Sequence, residues 1–84
     1  MKPEEMDVIE LVGEVSLEPA WILKPESAIR ALAAGSRGMI VHRDPDGGRY
    51  DVEFVDPAST EPLALVPLKA DQFRVVERYT VEGP

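Results

Sequence analysis

Few side chains in this 84-residue chain could carry chemistry. There is no cysteine and a single histidine, so neither a thiolate nucleophile nor a disulfide nor a thiolate metal site can be built. Acid–base work falls to His42 with Asp51, and the candidate nucleophiles are the hydroxyls of Ser27, Ser36 and Ser59. The run Asp44-Pro45-Asp46-Gly47-Gly48 has carboxylates two residues apart, as a calcium loop does. It fails as one, because the sixth position is Arg49 where glycine is needed and the twelfth is Val55 where a bidentate acid is needed. No metal ligand set and no cofactor motif is expected. The glycines of Gly35-Ser36-Arg37-Gly38 precede a strand rather than a helix, which fits a turn and not a phosphate loop.

The elements that must position these residues are two strands joined by a turn. Gly38-Met39-Ile40-Val41-His42-Arg43 and Arg49-Tyr50-Asp51-Val52-Glu53-Phe54-Val55 flank the Asp-Pro-Asp-Gly-Gly cluster, the pattern of a β-hairpin. Regular pairing from Asp44 and Arg49 sets Arg43 opposite Tyr50, His42 opposite Asp51, Val41 opposite Val52, Ile40 opposite Glu53 and Met39 opposite Phe54. Alternation then places Met39, Val41, Tyr50, Val52 and Phe54 on a core face, with Ile40, His42, Asp51 and Glu53 toward water. On a solvent face His42 and Asp51 form a surface ion pair rather than a catalytic dyad, because no cleft perturbs their protonation. The chain is therefore expected not to be an enzyme.

Composition bounds the rest. The length allows one domain with a small core, taken as residues 6–77 with a tail at 78–84. With 44% hydrophobic and 30% charged residues the chain is of the folded class, and eight prolines with six glycines favour short strands over long helices. Sixteen acids against nine Lys and Arg leave a net charge of −7, which repels nucleic acid and favours a protein partner with a basic surface. No run approaches the ~20 apolar residues that span a bilayer, so a cytoplasmic location without membrane contact is expected.

In chain order, Met6 to Val12 reads as a first strand ended by Gly13, and residues 14–19 as an acidic turn region. Trp21-Ile22-Leu23 is an apolar patch between Pro19 and Pro25, with Trp21 either plugging the core or anchoring a partner. The stretch from Pro25 to Gly35 can form a short helix, with proline at its start, alanines within and glycine at its end, or can run extended. A looser connection follows Val55. Leu63 to Leu68 is then a strand whose Pro67 marks a sheet edge or a strand end, Lys69 to Phe73 a single 3₁₀ turn, and Arg74 to Glu77 a last strand.

Five short strands, a long first loop, two compact connections and a 3₁₀ turn before the last strand are the layout of an SH3-like five-stranded small barrel. Asp7-Val8-Ile9-Glu10-Leu11, Gly35-Ser36-Arg37-Gly38-Met39-Ile40-Val41, Tyr50-Asp51-Val52-Glu53-Phe54-Val55-Asp56 and Ala64-Leu65-Val66-Pro67-Leu68 together resemble the bacterial family called domain of unknown function 4926. The resemblance implies that barrel and transfers no catalytic residue.

The function expected from these features is that of a protein-interaction module or small accessory subunit presenting an acidic sheet face. Its contact residues are Trp21, Ile40, Asp51, Glu53, Asp56 and Glu61. An antitoxin-like or immunity-like neutraliser of a basic protein is a variant of that reading. A structural homodimer, self-associating through Ile40 and Trp21 or through a strand edge, is the alternative.

Overall fold

The alternating segments assemble into one antiparallel sheet in the computed structural model, which describes residues 2–44 and 46–78. The strands are β1 (Val8–Leu11), β2 (Val15–Ser16), β3 (Ala31–Leu32), β4 (Arg37–Asp44), β5 (Arg49–Val55), β6 (Pro62–Lys69) and β7 (Phe73–Glu77). Five of them form a sheet in the order β6-β5-β4-β1-β7, and β2 and β3 pair as a separate two-stranded ribbon. The core lies between one face of the sheet and the first loop. Ile9, Ile40, Val52, Phe54, Val66 and Leu68 supply the sheet side, while Leu17 and Leu32 come from the loop. Tyr50 meets Phe73 edge to face at 5.4 Å, the arrangement that ring quadrupoles favour.

The expected barrel is not formed. β6 and β7 stand at opposite edges of the sheet and do not pair with each other, so the sheet stays open. The first loop fills the place that strand closure would take. Its β2–β3 ribbon carries the buried Leu32, and its Ile22 bridges to Ala64 at the β6 edge, where the Leu23 N–H donates to the Leu63 carbonyl at 2.9 Å.

The helix considered for residues 25–35 is also absent. Pro25–Ser27 makes one 3₁₀ turn, after which Ala28 enters the left-handed region at φ 58°. The Ser27 hydroxyl donates to the Lys24 carbonyl at 2.7 Å, a local bond that competes with helix propagation. Ala31–Leu32 then gains strand pairing and the burial of Leu32, which a marginal isolated helix cannot match. Among the described residues the only helical turns are 3₁₀, at Pro19–Trp21, Pro25–Ser27 and Ala70–Gln72.

The hairpin register holds beside the turn and slips beyond it. Arg43 faces Tyr50 and His42 faces Asp51, but Ile40 then faces Val52 and Met39 faces Glu53. Val41 is the extra residue of a β-bulge. It is 38% exposed, whereas Ile40 is fully buried, the reverse of the expected placement. The reason lies at Gly38, where a Cβ would stand 2.7 Å from Val52 Cγ1 and 2.8 Å from the Glu53 carbonyl oxygen. Only a residue without a side chain fits there, and Ile40 then becomes the β4 residue that reaches the core. The bulge lets Ile40 point inward while His42 stays outward, and it adds local twist to the strand pair.

The turn itself is tied by Asp44, whose carboxylate accepts the N–H groups of Asp46 and Gly47 at 3.0 and 3.1 Å. Gly48 adopts φ 64°, and Pro45 lies outside the described residues. The first strand is shorter than expected because Met6 has φ 76° and cannot continue it. Of the expected tail, residues 79–84 lie outside the described residues, and Arg78 is bonded to the body of the fold through Asp7 and the Lys2 carbonyl, each at 3.0 Å.

Candidate functional site

The face of the sheet turned away from the core carries two of the six residues singled out for recognition, Asp51 and Glu53. Pairing aligns Val8, Met39, Glu53 and Leu65 as one row across β1, β4, β5 and β6. The next row runs His42, Asp51 and Pro67, with Val41 turned out beside it by the bulge. Met39 and Glu53 are half-buried, and Leu65 is exposed. Glu53 makes no ion pair and no side-chain hydrogen bond among the described residues, although its immediate cross-strand neighbours are both apolar. Asp51, by contrast, is held by Arg49 at 3.3 Å.

At the other end of this face Glu10 lies between two guanidiniums, with Arg74 Nη2 at 2.6 Å and Arg37 Nε at 3.3 Å. The hydrogen bond from Arg74, reinforced by Arg37 against the cost of burial, holds the Glu10 carboxyl below the usual glutamate range. The register places Glu10, Asp44, Asp51, Glu53 and Glu77 on the face together with Arg37, Arg49, Lys69 and Arg74. Five acids thus stand against four bases there, and among the described residues the acids outside any ion pair stand largely in turns and in the first loop, as at Glu14, Glu18, Glu26, Asp46 and Asp71.

The six residues expected to meet a partner fall in four places. Asp51 and Glu53 share the outer face. Ile40 is in the core and offers nothing to a partner, a correction that follows from the bulge. Asp56 and Glu61 sit on the β5–β6 connection and hold Lys24 of the first loop, at 2.9 and 3.4 Å. The Lys24 ammonium lowers the Asp56 carboxyl, helped by the Ala58 N–H, and Asp56 in turn raises Lys24. Trp21 ends the 3₁₀ turn that begins at Pro19 and packs, partly buried, against the core.

Lys24 had no sequence signal, because its partners lie 32 and more residues away in loops of no fixed periodicity. Asp7 was likewise missed. Its side chain is 3% exposed and accepts from the Glu4 N–H and from Arg78 Nη1, both at 3.0 Å.

The candidate catalytic groups are not assembled. His42 Nδ1 lies 3.8 Å from Glu5, Asp51 is engaged by Arg49, and the Ser27 and Ser59 hydroxyls bond Lys24 atoms. Among the described residues no group of three or more His, Asp or Glu side chains is placed to hold a metal ion.

No family model, curated protein or solved structure matches this chain. The resemblance to domain of unknown function 4926 thus has no matching family model behind it, and the barrel it implied is replaced by an open sheet.

Proposed function

We propose that this chain is a non-enzymatic protein-interaction module whose outer sheet face receives a basic segment flanked by apolar side chains. The observation that carries this reading is Glu53, a half-buried carboxylate without a cation, set between Met39 and Leu65 in one cross-strand row. A lysine or arginine laid over it would gain a charge-assisted hydrogen bond, while its apolar neighbours cover Leu65 and Val41. The net charge of −7 supplies long-range attraction for such a segment and disfavours nucleic acid. Among the described residues no helix is long and apolar enough to cross a membrane, and a cytoplasmic setting for the encounter belongs to the same proposal.

The test is affinity capture with the full chain and three variants, followed by cross-linking to map the bound segment. Glu53→Lys and Leu65→Asp are expected to lose the partner, and Glu77→Lys, at the margin of the same face, to keep it. The mapped segment should carry Lys or Arg between apolar residues. Retention of the partner by Glu53→Lys and Leu65→Asp, or an acidic mapped segment, overturns the proposal.

A further inference from the structure

A groove of about 440 Å³ opens where the first loop meets the end of the sheet, away from the Glu53 row. Ile29 and Leu32 line it from the loop, Phe54 and Leu63 from the sheet, and Pro57 from the β5–β6 connection. Two polar residues stand among this lining, Ser36 and Arg37, and Arg37 is its one charged residue. We propose that this groove binds a small apolar carboxylate, with the hydrocarbon against Phe54 and Leu63 and the carboxylate on Arg37.

Three observations point to that chemistry. Arg37 reaches Glu10 only through Nε, and its two terminal nitrogens donate no hydrogen bond among the described residues, which leaves the guanidinium fork open to a carboxylate. Glu10 is shared with Arg74, which holds the shorter contact, so the cluster of one carboxylate and two guanidiniums keeps one positive charge. In a chain of net charge −7 that local excess selects an anion at this groove. Apart from Ser36 the remaining lining is apolar, which selects a hydrocarbon behind the anionic head and disfavours a bare inorganic anion.

The groove is also held open. Lys24, just before the loop wall, is bonded to Asp56 and Glu61, on either side of the connection that carries Pro57. Its two movable walls are thereby fixed relative to each other before any ligand arrives, which lowers the ordering cost of binding. At the roughly 30 Å³ that a water molecule occupies in the liquid, the volume holds roughly ten to fifteen non-hydrogen atoms, a size that octanoate fits.

The experiment titrates octanoate into the isotope-labelled full chain and follows its amide resonances, with octanol as the uncharged probe of the same length. Saturable shifts at Leu32, Ser36 and Val55 are expected, with octanol binding about tenfold more weakly, the worth of one charge-assisted pair. Arg37→Gln should weaken octanoate to the level of octanol, and Arg37→Lys, which keeps the charge without the fork, should fall between them. Ala33→Trp, filling the groove, should abolish binding of both probes while the amides of β5 keep their dispersion. Equal binding of octanoate and octanol, unchanged affinity in Arg37→Gln, or shifts confined to the Glu53 row would each overturn the assignment.

Discussion

Lys24 Nζ lies 2.9 Å from Asp56 Oδ2 and thereby joins two connections that share no regular strand pairing. The pair has a defined pH window. Asp56 is lowered by Lys24, so its contribution is present above the ordinary aspartate pKa near 3.8 and is lost as pH falls through its depressed folded value. Lys24 is raised by Asp56, so its contribution is present below 10.5 and is lost as pH rises through its elevated folded value. Lys24→Met should speed amide exchange at Leu23, whose N–H bonds the Leu63 carbonyl, at neutral pH. The acceleration should vanish in strong acid, where Asp56 is protonated in both chains. Identical exchange at neutral pH would show that the latch holds nothing.

Ile40 and Val41 give the sharpest mutational contrast. Ile40→Ala removes a fully buried side chain and should cost about 2–5 kcal/mol. Val41→Ala acts on the exposed bulge residue and should stay within about 0.5 kcal/mol. Urea unfolding of the two variants measures both. Had the regular register held, the order would be reversed.

That contrast also marks how far the sequence could be read. Period-two alternation located the two hairpin strands, short runs of strand-forming residues bounded by turns located the other three of the main sheet, and the Asp-Gly-rich turn set the register at Arg43 and His42, because those signals are local. The bulge depends on Gly38 lying against Val52 and Phe54, a contact between strands that no window around Gly38 contains. The same limit hid the two-residue strands β2 and β3, whose pairing is decided by where Leu17 and Leu32 enter the core. Of the candidate site, Asp51 and Glu53 were legible from alternation. Asp56 and Glu61 were visible as acids, but their engagement with Lys24 was not, since a loop carboxylate's partner has no periodic signature.

Gly38 should tolerate no side chain. Gly38→Ala places a methyl against the Glu53 backbone and the Val52 and Phe54 side chains, and overpacking of that kind costs about 1–3 kcal/mol. Gly13→Ala is the matched control, because a Cβ there meets nothing within 4 Å. Its effect should be within about 0.5 kcal/mol in the same urea measurement. Equal loss in both would mean that the close approach at Gly38 does not set the cost.

Glu10 should make the sheet sensitive to acid and salt together. Arg74, with Arg37, keeps its carboxyl below the ordinary value of 4.5, so the stabilisation is present above that pH and is lost as pH falls through the depressed folded pKa. Glu10→Gln should lower the thermal midpoint at pH 7, and the gap from the parent chain should close in strong acid. It should also narrow as salt rises from 0.01 to about 1 M, because the exposed guanidiniums are screened. A gap independent of both pH and salt would assign the loss to packing instead.

Asp7 and Arg78 join the two ends of the described chain, and their environments differ in a way that sets which substitution matters more. The Asp7 side chain is 3% exposed, and Arg78 is 31% exposed. Removing the guanidinium takes a charged donor away from a covered carboxylate, and breaking a fully buried pair in this way costs about 3–5 kcal/mol. The Glu4 N–H still donates to Asp7, and Arg78 is partly in water, so Arg78→Met should fall at or below the lower end, about 2–3 kcal/mol. Asp7→Asn removes the charge instead, leaving an amide oxygen for the Glu4 N–H and an arginine that can turn toward solvent, and should cost less. In the double variant the loss should be smaller than the sum of the two, because both substitutions remove the same Asp7–Arg78 contact. Strict additivity in urea unfolding would show that Asp7 and Arg78 act independently, and that Arg78 does not secure the end of β7 through this contact.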